Sequence, residues 1–448
     1  MTQKVKQQIH FEKAKKKVYV SIKAKFIISM FLGLTWMSIS IYVSIPWVNS
    51  LAVYVSLPVS ILIITGIAYI PGYMNAFMVS SLLLDRQPPL KYTTISVPVT
   101  ILIACYNEEK AIRDTLRYIS MQEYNGRINV IVIDNNSNDK TSEVALQAGK
   151  EMDLNLKILH ESTPGKNFAL NAAIDHIETK YVLTLDADTL LHKLAIRNIV
   201  SRMLTAPDDV CAVAGTVLVR NGRNNLLAKV QEWDYFLGIA SIKRLQGLFQ
   251  GTLVAQGAFS LYKTNAIKHV GGWPDAIGED IVLTWKFLGN SWKVYFEPLA
   301  VAFTEVPESL KHFYRQRSRW ARGMIEALKV IKPWKQPLYT VKYLTGCNLI
   351  MPYLDFVYTF CWMPGLILAF FGYYWIVGLA TLFVLPLALL QNYILYRYQK
   401  DVFYNLNLKI RKNTFGFITY VLFYQMLMSP ISVLGYIQEF LKRQRIWK

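Results

Sequence analysis

Charge is missing from this chain over a long stretch: from Phe26 to Leu84 there is no Asp, Glu, Lys or Arg. A water-soluble domain does not leave so long a segment uncharged, whereas a helix needs only roughly 20 apolar residues to cross a hydrocarbon layer of about 30 Å. The stretch reads as two spans, Phe26 to Ile45 and Leu51 to about Met78. The break falls at Pro46-Trp-Val-Asn-Ser50, as a short hairpin loop, and a kink is expected at Pro58 or Pro71. Cysteine is scarce as well. Cys105, Cys211, Cys347 and Cys361 show no paired metal-ligand spacing, which leaves buried thiols in a reducing compartment as the expectation. The six histidines are scattered along the chain, so none is assigned to a metal. No internal repeat or low-complexity segment is evident, and no small-residue site ends a short apolar core as in a cleaved signal peptide.

What is present is apolar and basic. Hydrophobic residues make up 53% of the chain, and 49 basic residues against 30 acidic ones give a formal net charge of +19. Tyr343 to Tyr396 carries one charge, Asp355, and is long enough for two more spans; Asn413 to Gln438 is uncharged and long enough for a fifth. The positive charge does not point to nucleic acid, because of where it lies. Eight lysines fall within the first 25 residues, and Arg397, Lys400, Lys409, Arg411 and Lys412 sit between the fourth and fifth spans. Basic residues beside spans mark the cytoplasmic side and are drawn to anionic lipid. A fifth crossing would carry the carboxyl terminus outside, yet Lys442, Arg443, Arg445 and Lys448 are basic. Two readings stay open: Pro430 makes the last segment re-entrant or interfacial, or the block 343–396 is miscounted.

Between the membrane blocks the composition is that of a globular domain. Val97 to Ala104, Ile128 to Ile133, Leu156 to Leu159 and Tyr181 to Leu185 are short β-branched runs, each followed by a polar turn and a helical pattern, which is the mark of a parallel α/β sheet. The turns Tyr106-Asn-Glu-Glu109, Asp134-Asn-Asn-Ser-Asn-Asp139 and Asp186-Ala-Asp188 therefore lie at the carboxyl ends of strands, where open α/β sheets bind ligands. From Glu308 to Ile331, apolar residues recur at helical spacing with Arg315, Arg317, Arg319 and Arg322 among them. This predicts a basic amphipathic helix at the membrane interface. The expected order is a basic cytoplasmic segment 1–25, two spans in 26–84, a cytoplasmic globular domain 95–305 and amphipathic interface helices 306–342. About three spans in 343–440 and a basic tail 441–448 follow. The prolines of Asp85 to Thr94 mark the boundary before the globular domain.

Asp186 and Asp188 are the first candidates for chemistry, since two carboxylates one residue apart at a strand end can present oxygens to one hard divalent cation. Alone, such a pair is more often a solvated turn, and Asp134 alone is an Asx-turn. Their company changes the balance. Gly278-Glu279-Asp280 follows a Gly-Gly-Trp-Pro turn, and Gln316-Arg-Ser-Arg-Trp320 follows in turn. With these motifs in this order, the chain resembles the processive, inverting family-two glycosyltransferases, which include cellulose, chitin, hyaluronan and poly-β-1,6-N-acetylglucosamine synthases. The last of these is most similar, through GEDIVLTWKFL, YFEPLAVAFTEVPESLKHF and RQRSRW.

The resemblance implies a GT-A α/β domain with a Rossmann-like mixed sheet, inserted between transmembrane helices. It implies that Asp134, Lys166, Asn107, Glu108 and Asp186 hold the nucleotide-sugar donor, and that Asp186 and Asp188 hold Mg²⁺ or Mn²⁺. Asp280 matches the catalytic base. Gln316, Arg319 and Trp320 match the motif that cradles diphosphate and acceptor, joined by Glu279, Gln256 and Gly257. Trp233 and Trp273 are further stacking candidates. Relatives read Asp-Asp-Gly-Ser where this chain has Asp134-Asn-Asn-Ser137, which puts any nucleotide contact by Asn135 in question. The implied partners are a UDP-sugar, favoured as UDP-N-acetylglucosamine, a growing polysaccharide, the lipid bilayer of the plasma membrane and room for a small membrane accessory subunit, with no nucleic acid.

The chemistry stands without the family name. Sugar transfer needs a base within roughly 3 Å of the acceptor hydroxyl, and Asp280 is the leading candidate beside its ordinary role as a helix N-terminal acid. Helical spacing puts Gln316, Arg319 and Trp320 on one face, where a guanidinium can grip a diphosphate and an indole can carry a sugar ring. The alternatives are a transferase that loads one sugar onto a lipid, synthesis of a hyaluronan-, chitin- or glucan-like polymer, and a transporter whose soluble domain merely binds nucleotide.

Overall fold

Period-two alternation in the β-branched runs divides each strand between two cores. The computed structural model describes residues 20–85, 90–92, 96–378, 381 and 384–443. Most of the basic amino-terminal segment, the paired linker prolines, residue 95 and the end of the basic tail lie outside them. β1 (Val99–Cys105), β2 (Ile128–Asp134), β3 (Asn155–His160) and β4 (Tyr181–Leu185) run parallel. β5 (Leu190–Leu191), β6 (Val210–Val219), β7 (Phe259–Lys263) and β8 (Lys293–Thr304) complete one eight-stranded sheet in the order β3-β2-β1-β4-β7-β6-β8-β5. β7 is antiparallel to both β4 and β6, so the sheet is mixed. Ile101, Ile103, Val130 and Val132 enter one core, beneath the helices Ile112–Ser120, Thr141–Glu151 and Ala195–Leu204. Leu102, Ile131 and Ile133 enter the other, which also contains Phe77, Val341 and Tyr436 from the membrane-side helices. Both faces are covered, which is why β1, β2 and β4 read as continuous apolar runs.

Four helices among the described residues are long and apolar enough to cross a membrane: Ile22–Val43, Leu57–Leu83, Tyr339–Phe370 and Thr414–Phe440. The first connection differs from the expected hairpin loop. Residues Ile45–Val55 form a helix with Pro46 in its first turn, a position where the missing N–H has no helical acceptor to lose. The break comes instead at Ser56, whose φ is 86°. A π-helical segment, Thr65–Tyr69, precedes Pro71 and absorbs the irregularity that the proline imposes. The 343–396 region forms the helix through Phe370 and a second helix, Val384–Asn405, which bears Arg397, Lys400 and Asp401 and is not among the four. Cys105 and Cys211 are buried, whereas Cys347 and Cys361 are only half-buried and all four are free thiols.

The basic amphipathic helix forms over Leu310–Val330 with Ser309 as its N-cap, but its arginines do not all face outward. Arg317 and Arg322 are buried because the helix is covered by Thr414–Phe440. Each is met by an acid, Arg317 by Asp234 at 3.1 Å and Arg322 by Glu439 at 3.4 Å. The Thr414–Phe440 helix is tied at both ends. The Asn413 side chain donates to Lys229 O at 2.9 Å and Glu232 at 2.6 Å, while Glu439 at the far end pairs with Lys329 at 2.7 Å. Ser429 in its middle and Tyr436 near its end donate to the Asp355 carboxylate of the Tyr339–Phe370 helix.

Candidate active site

Parallel register sets Cys105 of β1 opposite Asp134 of β2, so the turns that follow the two strands lie side by side. Asn107 adopts φ 56°, a conformation asparagine tolerates, and its side chain accepts from Asn138 N at 2.8 Å. Its own N–H donates to Ser137 Oγ at 3.0 Å, and Glu108 N donates to Thr141 Oγ1 at 2.8 Å. Asp134 is buried, accepting from Ser137 N at 2.9 Å and from the Ser142 hydroxyl. Burial pushes its carboxyl up, but these hydrogen bonds outweigh that and hold it below the usual range. Next to it, Asn135 donates to Glu161 O at 3.0 Å and Thr163 O at 2.7 Å, and accepts from Gly165 N at 2.7 Å. Both amide hydrogens are engaged within the protein, so Asn135 serves the 161–165 loop.

That loop delivers Lys166, the first residue of the helix Lys166–Ala172. Its ammonium bonds the Asp186 carboxylate and stands 4.0 Å from Glu279 Oε1. Burial works against its charge, yet Asp186 and Glu279 prevail and raise its pKa. A second link is the Gln256–Ala258 loop, which forms the entry to β7. Gly257 N donates to Asp280 Oδ2 at 3.4 Å, and Asp186 N donates to Ala258 O at 3.4 Å. A Cβ on Gly257 would come 2.7 Å from Lys166 Nζ, so glycine leaves the space the ammonium occupies. Gln256 donates to Gly215 O at 2.7 Å, and its Oε1 is buried with no hydrogen-bond partner among the described residues. Asp186, Glu279 and Asp280 thus meet around one lysine and one loop.

Glu279 and Asp280 open the helix Glu279–Gly289. Burial and the Asp280 charge push the Glu279 carboxyl up to about 7, against the pull of Lys166 and Arg319. Arg319 is thus within electrostatic reach of the Gly-Glu-Asp turn. The contact is made by two glycines: a Cβ on Gly278 would lie 2.7 Å from Gly323 Cα, so the helix start and the Leu310–Val330 helix touch backbone to backbone. Glu326, on the same helix, accepts from Ile277 N at 2.7 Å and Gly278 N at 3.2 Å. Gln316 Oε1 is buried without a hydrogen-bond partner among the described residues, and Trp320 is 41% exposed. Trp320 also lies 6.4 Å from Tyr235, whose phenol burial pushes up to about 12, with Arg317 opposing and Asp234, Asp188 and Asp186 adding to the rise.

Gly323, Glu326, Arg317, Asp234 and Tyr235 are not legible as site residues in the sequence, since each acts through a partner distant in the chain. Lys243 is another: its buried ammonium donates to Val254 O at 3.0 Å, just before the Gln256–Ala258 loop. Burial lowers its pKa to about 7, opposed by Asp280. Of the stacking candidates, Trp273 is buried in the core, and Trp233 donates to Asn413 O at 2.9 Å and packs on Phe417. Neither joins the cluster.

Asp188 accepts from Thr189 and Thr304, each at 3.2 Å. Burial, Asp186 and Glu108 nevertheless push its carboxyl up to about 6. A half-buried like-charge pair of this kind suits a hard divalent cation, which takes one or two carboxylates and completes its shell with phosphate and water. Among the described residues no group of three His, Cys, Asp or Glu forms a cluster that would hold a metal by itself. The donor set fits Mg²⁺ or Mn²⁺ shared with a diphosphate.

The mixed sheet, with an Asp-x-Asp pair at the end of β4 and an acid-headed helix facing it, is a GT-A glycosyltransferase domain lying between helices long enough to span a membrane. The family described as "Glycosyltransferase like family 2" matches residues 97–323, and the chain belongs to it. It is a membrane protein and a glycosyltransferase. It is 32% identical over 281 residues to the poly-β-1,6-N-acetyl-D-glucosamine synthase of Staphylococcus aureus, covering 61% of this chain and 67% of that one. The synthase of the same description from Staphylococcus epidermidis is 33% identical over 270 residues, covering 58% and 65%. In fold, the chain is similar to a mannosyltransferase from Pyrobaculum calidifontis solved with GDP-Man and Mn²⁺, with a TM-score of 0.60 and 20% identity over 86% of this chain and 98% of that one.

Proposed function

We propose that this glycosyltransferase is processive and inverting, polymerising β-linked poly-N-acetylglucosamine from UDP-N-acetylglucosamine at the cytoplasmic face of the plasma membrane and passing the polymer outward as it grows. The observation that carries the reading is the convergence of Asp186, Glu279 and Asp280 on Lys166 and the Gln256–Ala258 loop. The similarity to poly-β-1,6-N-acetyl-D-glucosamine synthases supports the choice of sugar. The basic residues flanking the apolar helices support the cytoplasmic face.

Asp134, with Asn107 and Glu108 in the neighbouring turn, receives the nucleoside, and Lys166 meets the donor phosphates. Asp186 and Asp188 would hold a divalent cation, which would neutralise charge on the departing diphosphate. Arg319 adds a planar cation on the same side, and Trp320 offers the acceptor sugar a flat face. Asp280 takes the proton of the acceptor hydroxyl while that oxygen bonds the anomeric carbon. The bond from that carbon to the diphosphate oxygen breaks, its electron pair leaves with UDP, and an α-linked donor becomes a β-linkage.

The test is incubation of the purified protein in lipid with a panel of nucleotide sugars, followed by chain-length and linkage analysis. A β-1,6-linked ladder from UDP-N-acetylglucosamine is expected, and Asp280→Asn is expected to lower turnover by about 10³-fold. A product extended by one sugar only would overturn processivity, and an active Asp280→Asn would overturn the base.

A further inference from the structure

Trp320 presents one face of its indole to the outside, and the other face is covered by a charge. The Arg317 guanidinium lies 3.9 Å from the indole centroid, close enough for contact, with Phe313 at 5.2 Å and Tyr235 at 5.7 Å. Arg317 is 1% exposed while Trp320 is 41% exposed, so a fully buried cation supports a half-open ring. Spacing of i and i+3 on one helix makes the two side chains neighbours.

A buried cation has to be paired, and Arg317 has one acid, Asp234, at 3.1 Å. The same carboxylate oxygen accepts from the Tyr424 hydroxyl at 2.6 Å, and Tyr424 comes from the Thr414–Phe440 helix. Asp234 opens a π-helical turn, Asp234–Ile239, a form that recurs at functional sites. Arg317 Nε is buried without a hydrogen-bond partner among the described residues, so the plane of the guanidinium is set by the single ion pair and the stacked rings. Buried ion pairs are a weak source of stability, because desolvation offsets most of the attraction. What this one does provide is direction: it fixes a planar cation beneath a planar ring.

We propose that Arg317, aimed by Asp234 and Tyr424, is the positioning residue that holds the Trp320 indole in the orientation that stacks an acceptor sugar. The proposal rests on the reading of Trp320 as the acceptor surface. It makes the last helix part of the acceptor subsite, through one hydroxyl, although no residue of that helix belongs to the motif. It also separates the two arginines of Gln316-Arg-Ser-Arg-Trp320: the charge of Arg319 acts on Glu279, and Arg317 acts through the ring.

The experiment uses the full chain in lipid nanodiscs with UDP-N-acetylglucosamine as donor and a β-1,6-linked N-acetylglucosamine oligomer as acceptor. Hydrolysis of the donor by water is followed in parallel, since it requires no acceptor stacking. Arg317→Lys keeps the charge for Asp234 and removes the planar stack. It is expected to raise the acceptor KM about tenfold while donor hydrolysis stays within about twofold. Tyr424→Phe keeps the ring and removes one hydrogen bond; an acceptor KM raised about threefold is expected. Because Tyr424→Phe is nearly isosteric, it decides the question even if Arg317→Lys does not fold. Should Trp320→Phe raise the acceptor KM while both other variants leave it unchanged, the positioning role is overturned and the acceptor reading stands. If Trp320→Phe itself leaves it unchanged, the acceptor reading falls and the proposal with it.

Discussion

An amide at position 135 can donate two hydrogen bonds and accept one, and Asn135 does all three, to Glu161 O and Thr163 O and from Gly165 N. A carboxylate can only accept. Asn135→Asp would therefore set an anion against two carbonyl oxygens and loosen the loop that delivers Lys166. Each lost hydrogen bond is worth about 1 kcal/mol, so the donor KM should rise roughly tenfold or somewhat more. The variant-to-wild-type ratio of donor KM should move back toward one as pH falls, because a protonated aspartic acid recovers one donor. A ratio that stays flat across pH would reject the clamp. The sequence makes the substitution visible, as a departure from Asp-Asp-Gly-Ser, but not its purpose, because the partners lie 26 to 30 residues further along.

Elements meet at this site where nothing holds them apart. The Glu279–Gly289 and Leu310–Val330 helices touch at Gly278 and Gly323, where a Cβ on Gly323 would come 2.8 Å from Gly278 Cα. Backbone cannot swing away as a side chain can, so Gly323→Ala should cost about 1–3 kcal/mol of stability and reduce turnover together with it, read as a lower Tm and a lower kcat. The Glu279 carboxyl, pushed up to about 7 from an ordinary 4.5, gives a second expectation. Between those values the folded protein holds a proton that the unfolded chain has released, so stability falls as pH rises from 4.5 to 7. Glu279→Gln should flatten that part of the Tm against pH curve. Periodicity reveals β1, β2 and β4 because alternation within a strand is local. The order β7-β6-β8-β5 is set by pairings across long helical insertions and has no local signature. The break at Ser56 escapes for a related reason: Pro46 reads as an interruption, although at the start of a helix it is not one.

At the scale of the whole molecule, the sheet and the apolar helices share a core. Phe77, Val341 and Tyr436 pack into the same cluster as Leu102 and Ile133, and Arg244 holds Asp85 at 2.7 Å just after the Leu57–Leu83 helix. The Thr414–Phe440 helix belongs to that joint. At about 1.5 Å per residue its 27 residues are long enough to cross a bilayer, yet Asn413 is bonded to Lys229 and Glu232, while Glu439 is bonded to Lys329 and paired with Arg322. Both sets of partners belong to the catalytic side. A helix that crossed the membrane would place one end about 30 Å from that side, so with both ends tied to these partners the expectation is a helix that lies along the interface. On that expectation Lys442 and Arg443 would need no exception to the charge rule, since they would stay on the face of Lys409, Arg411 and Lys412. Single cysteines at the exposed positions Lys412 and Lys442 should accordingly react with a membrane-impermeant maleimide from the same side of sealed vesicles. Labelling from opposite sides would show a true crossing and break the contacts at one end of the helix.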